Sequence, residues 1–129
     1  MDIKAIESFR ITEAKEALQV AEHLMEKGDY SYALFFGHLA IEKLMKALYV
    51  VKQKDHAPPI HNLLRLAKLA GIEVPEDKIE ALIEISAFNI EARYPDFKRA
   101  FRKKCNAEYA GKQITVIKEI FQWLQQEKT

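Results

Sequence analysis

The sequence predicts an all-α fold: a single bundle of four longer helices and one short helix, opening on an up-and-down hairpin. Three observations predict it. Apolar residues recur at helical spacing along most of the chain, and no segment alternates as a strand would. Glycine, proline and Asx residues cut that pattern into lengths typical of packed helices. Finally, between Tyr30 and Val51, 16 of 22 residues are apolar or aromatic. A surface helix carries one apolar stripe, so a helix apolar nearly all round must be covered by neighbours on most sides.

Taken in order, the first helix runs from about Thr12 to Lys27, with Ala14, Ala17, Leu18, Ala21, Leu24 and Met25 in register. Ser8 and Thr12 are alternative caps, and Ile3, Ile6 and Phe9 offer a backward extension. Gly28 stops it and Asp29 caps the next, a link so short that the two helices form an antiparallel hairpin. The central helix, from Asp29 to about Lys54, ends before Ala57-Pro58-Pro59, because two prolines cannot continue it. Leu63, Leu64, Leu66, Ala67 and Ala70 make the short helix, closed by Gly71. Pro75 suits the first turn of the next, with Glu76 and Asp77 at its positive end. Its expected buried stripe is Ile79, Leu82, Ile83, Ala87 and Ile90, ending near Ala92. Pro95 discourages continuation through Tyr94, so residues 96–105 read as a loop or a short helical turn. Asn106 caps a last helix with Ala110, Ile114, Ile117, Phe121 and Leu124 on one face.

The chain of 129 residues is long enough for one core, and residues 1–129 read as one domain. A net charge of +1 gives no global attraction to nucleic acid or membrane. One cysteine, Cys105, excludes an intramolecular disulfide. The longest uncharged apolar run, Tyr30 to Ile41, falls well short of the roughly 20 residues a span needs. No apolar leader opens the chain, and a cytoplasmic location is expected.

Charge is nevertheless uneven. Residues 73–91 carry a net −5 and residues 93–104 a net +5. The basic block either binds phosphates, meets the acidic helix of a second copy, or is simply a solvated surface. On the central helix, Ser31, His38, Glu42 and Lys46 fall within a sector of about 80°. His38, Glu42 and Lys46 read in two ways. They form a polar pocket that holds an anionic ligand or orients Arg93, or they form an internal Glu42–Lys46 pair beside a helix-crossing histidine. His61 at a helix start reads as a local cap or packing residue. Arg93 is either a phosphate contact or a partner of Glu91, Asp96 or Glu42. No metal site is expected: His56 and His61 are separated by two prolines, and there is no second cysteine. Nor is there a glycine-rich loop for a cofactor. Cys105 lies beside Lys103 and Lys104, which favour a thiolate, but it lacks a partner base and reads as a spectator.

Three pieces of the chain together resemble the HEPN domain family. They are EKGDYSYALFFGHLAIEKLMKAL at residues 26–48, with Glu42, Lys43 and Lys46; His61-Asn62-Leu63 after the proline loop; and Ala92-Arg93-Tyr94-Pro95-Asp96 after the fourth helix. The resemblance implies a helical bundle that forms a homodimer. It also implies a nucleotidyltransferase as partner subunit, often as a toxin–antitoxin pair, and a nucleotide or RNA as ligand. Many members are ribonucleases with an arginine followed, after four to six residues, by a histidine. This chain departs from that pattern. None of Arg10, Arg65, Arg93, Arg99 and Arg102 has a histidine five to seven positions on, and none follows His61. The region the motif would occupy holds Arg99, Arg102 and Lys103 instead.

The expectation is therefore a non-catalytic module binding nucleotide or RNA phosphate, alone or as a nucleotidyltransferase partner. Its candidate ligand-binding residues are His38, Glu42, Lys46, His61, Arg93, Asp96, Arg99 and Arg102. The alternative is a metal-independent ribonuclease with an irregular set, Arg93 or Arg102 with His38 or His61. A homodimer is expected through the central helix and through Phe121, Trp123 and Leu124 of the last.

Overall fold

The structure, a computed structural model, describes residues 1–127, and among these every regular element is a helix. There are six: α1 (Ile3–Glu26), α2 (Tyr30–Gln53), α3 (Leu63–Ala70), α4 (Glu76–Glu91), α5 (Pro95–Lys104) and α6 (Ala107–Gln126). Neither Ser8 nor Thr12 starts α1. Asp2 does, accepting a hydrogen bond from the Ala5 N–H at 3.0 Å. The hairpin of α1 and α2 turns at Gly28, whose φ of +80° is the left-handed conformation glycine tolerates best. Asn62 and Asn106 cap α3 and α6 through their side-chain oxygens, satisfying N–H groups that a helix start leaves unpaired. The first turn of α3 is also tied to α4, because Ser86 Oγ accepts from the Leu63 N–H at 2.9 Å.

Every other helix packs against α2. Fourteen of its residues are buried, including the whole polar stripe of Ser31, His38, Glu42 and Lys46. The closest approach is to α6 at Gly37: a Cβ there would stand 2.6 Å from Cδ1 of the fully buried Ile117. Phe121 and Leu124 are buried within the same core. The central helix is thus largely covered inside one chain, with Phe35, Phe36, Leu39 and Tyr49 half-buried at its edges.

Two further expectations are corrected. Of the two readings of residues 96–105, a loop or a short helical turn, the helical one is closer: α5 fills most of that span and makes the helices six rather than five. Pro95 ends α4, but it also occupies the first turn of α5, where its missing N–H costs nothing. Asp96 at the start and Arg102, Lys103 and Lys104 at the end complement the helix dipole. Phe101, buried against Phe88 with ring centroids 5.5 Å apart, anchors the helix. Second, α4 is rotated from its expected face. It buries Leu82, Ile85, Phe88 and Asn89, while Ile83 and Ile90 face outward.

Candidate functional site

Folding brings four of the predicted residues into one network. On α2, three helical turns stack His38, Glu42 and Lys46 along one face. The loop before α3 lays His61 over them. Glu42 uses both carboxylate oxygens: Oε1 accepts from His61 Nδ1 at 2.8 Å, and Oε2 accepts from Lys46 Nζ at 3.0 Å. His38 Nε2 donates to the His61 carbonyl at 3.0 Å, which fixes its tautomer and leaves Nδ1 as a buried acceptor without a partner. His61 and Glu42 are thus held to each other, and the loop to the helix.

The network explains its own electrostatics. Burial pushes the His38 imidazole down, against the opposing pull of its bond to the His61 carbonyl and the charge of Glu42. Burial raises the Glu42 carboxyl, but hydrogen bonds from His61 and Lys46 and the Lys46 charge outweigh it, so the group stays below its usual range. A buried carboxylate tolerated in this way must keep its partners. His61 itself remains about half exposed, and Nδ1 is the ring nitrogen bonded to Glu42.

Arg93 lies at the edge of this network. Its charge acts on His38, yet its Nε donates to the Asn89 carbonyl at 3.0 Å rather than to a carboxylate. Its guanidinium lies over the rings of Phe35 (6.0 Å) and Tyr94 (5.7 Å). Among the described residues it forms no ion pair with Glu91, Asp96 or Glu42. Neither His38 nor His61 hydrogen-bonds an arginine.

The remaining predicted residues sit on α5. Asp96 is in its first turn, away from the Glu42 network. Arg99 and Arg102, with Pro95 and Lys98, line a shallow depression of about 320 Å³. A residue that sequence alone does not single out is central here. Tyr32 reads in the sequence as one more apolar position of the central helix, but its ring is a platform for two cations, Lys98 at 5.5 Å and Arg102 at 5.8 Å. Its phenol is lowered by a hydrogen bond and charge from Lys98, helped by Arg102. The pairing spans more than 60 residues of sequence, so no local pattern announces it. Arg99 and Lys103 remain exposed beside it.

The other polar centre is Tyr109, whose hydroxyl donates to Glu84. Burial and that carboxylate push the phenol well above its normal range. Burial pushes the Cys105 thiol up to about 11, outweighing Lys104, so the neighbouring lysines do not favour a thiolate, which agrees with Cys105 as a spectator. No cluster among the described residues has the makeup of a metal site. Among the described residues no helix is long and apolar enough to cross a membrane.

Comparison with known proteins places this arrangement. A family model for the HEPN domain matches residues 8–128. No curated protein matches the chain in sequence. Among solved structures, the crystal structure of TT1696 from Thermus thermophilus is similar, with a TM-score of 0.79 at 25% identity, covering 95% of this chain and 98% of that one.

Proposed function

The chain belongs to the HEPN domain family, and from that premise we propose that it is a non-catalytic binding module whose α5 face holds the phosphates of a nucleotide or RNA. In this reading it acts as the partner subunit of a nucleotidyltransferase, in a toxin–antitoxin type of pair. The observation that carries the reading is the cation–aromatic cluster of Tyr32, Lys98 and Arg102, with Arg99 lining the same depression. Cations held over a ring are positioned without being neutralised, which leaves their charge available to an anion. Guanidinium groups suit phosphate because they present several donors in one plane.

Binding is favoured over cleavage by what surrounds that depression. RNA cleavage needs a group that exchanges a proton beside the phosphate. No histidine lines the depression, and His61 is committed through Nδ1 to Glu42. The ribonuclease alternative would have to recruit His61 through its exposed side, with Arg93 as the phosphate contact.

The test is the salt dependence of binding to a fluorescent single-stranded RNA oligomer and to a nucleoside triphosphate. Wild-type affinity for the oligomer should fall steeply between low and moderate salt. The slope of log K against log salt should drop by roughly 1.4 in the Arg99→Ala/Arg102→Ala variant if each guanidinium neutralises one phosphate of a single strand. Both side chains are exposed, so the circular dichroism and melting temperature should stay unchanged. An unaltered slope and affinity in the double variant would overturn the assignment.

A further inference from the structure

Helix α1 is packed into the core along only part of its length. Its buried residues, Ala14, Ala17 and Ala21, begin at Ala14, and none of the residues before it is buried. The start of α1 therefore leaves a gap against α2 and the loop that follows α2. The gap is a pocket of about 460 Å³, within the range of roughly 300–1,000 Å³ usual for small-molecule sites. Ile6 and Phe9 supply its apolar wall, and Phe9 is 57% exposed. Arg10 and Glu13 follow on the same face of α1, while Lys43 of α2 and His56 of the loop complete the lining. A lone exposed ring is ordinary, but this one borders a cavity whose remaining lining is mostly charged or polar.

We propose that this pocket is a binding site for a small aromatic carboxylate. Charge selects the occupant. Lys43 is committed to Glu13, with Nζ 3.5 Å from Oε1, so that pair adds no net charge. Half-buried Arg10 forms no ion pair among the described residues. It leaves the pocket one positive charge that nothing neutralises. A single carboxylate balances that charge. A phosphate dianion would exceed it, and the Glu13 carboxylate would oppose the excess. A guanidinium takes a carboxylate through two parallel hydrogen bonds, and the His56 ring offers a further polar contact. Phe9 and Ile6 give an aromatic body the apolar contact that a purely polar anion would leave unused. The pocket shares no residue with the α5 depression, and its assignment stands whether or not α5 binds phosphate.

The test uses two probes, cinnamate and its neutral amide, cinnamamide, followed by backbone amide chemical shifts in the full chain. Cinnamate should shift residues 5–13, Lys43 and His56 and leave residues 97–104 unmoved. It should bind wild type about tenfold or more tightly than cinnamamide, as a charge-assisted hydrogen bond implies. Arg10→Gln should erase that preference, and Phe9→Ala should weaken both probes. Both side chains lie outside the core, so the circular dichroism spectrum should be unchanged. The assignment is overturned by the absence of saturable cinnamate binding, by equal affinity for the two probes in wild type, by a preference that survives in Arg10→Gln, or by shifts centred on α5. Cinnamate affinity that falls as protein concentration rises would overturn it as well, because a second copy of the chain would then be the occupant.

Discussion

Glu42 concentrates the residue-scale physics of this protein. It is 6% exposed, and both its oxygens are occupied by cations or an imidazole. Removing its charge strands Lys46, and breaking a buried pair in this way costs about 3 kcal/mol, the lower end of the usual range because Lys46 retains a path to water. Glu42→Gln should therefore lower the melting temperature clearly. The same residues predict acid sensitivity. His38 is lowered from 6.5, so below that pH the unfolded chain takes up a proton that the folded imidazole refuses, and stability falls. Glu42 is lowered from 4.5, so its contribution is present above that value and is lost as pH falls through the folded value. Both effects act in one direction. Melting temperature should decline in two limbs as pH drops from 7 to 3, and Glu42→Gln should lack the lower limb. A wild-type curve flat across that range would refute the account. Helical spacing made His38, Glu42 and Lys46 readable as one face. It could not show that His61, 19 residues beyond Glu42 and across a proline loop, completes the network.

At the scale of elements, four of the helices, their stops at Gly28 and Gly71 and the Asn106 cap were legible, because glycine, proline and asparagine act locally, whereas the Asp2 and Asn62 caps were not read. What failed was local information pulled two ways. Pro95 both ends α4 and begins α5, and only the anchoring of Phe101 against Phe88 decides in favour of a helix. Helix α4 has two apolar faces at the same period, so periodicity identified the helix but not the face that enters the core. Gly37 was another silent position. Its meaning lies in α6, where Ile117 occupies the space a Cβ would need. Ile117 is fully buried, so Gly37→Ala must either displace its Cδ1 within a packed core or push α2 and α6 apart. Overpacking of this kind costs about 1–3 kcal/mol, more than the helix propensity alanine gains over glycine. Denaturant unfolding should show a lower midpoint for Gly37→Ala, with Gly37→Ala/Ile117→Val recovering part of the loss. A stabilised Gly37→Ala would show that the two helices yield freely.

Across the whole molecule, stability and recognition occupy different places. Helix α2 touches every other helix and buries more residues than any of them. Helix α5 has one fully sequestered anchor, Phe101, and exposes most of its length. Local opening follows buried contact, so the rim should open with less free energy than the centre. In hydrogen–deuterium exchange followed by mass spectrometry, amides of residues 41–50 should exchange only with global unfolding, while those of residues 97–104 exchange at least tenfold faster. Phe101→Ala removes the anchor, and large-to-small changes at such sites cost about 3–5 kcal/mol. That is enough to leave α5 open and its cations dispersed, so this variant should lose RNA affinity while the slow exchange of α2 persists. Adding the RNA oligomer to wild type should slow exchange in α5 and leave α2 unaltered, because only the rim gains order. If α5 and α2 exchanged together in a single step, the molecule would be one cooperative unit, and the separation of a rigid centre from a recognising rim would fall.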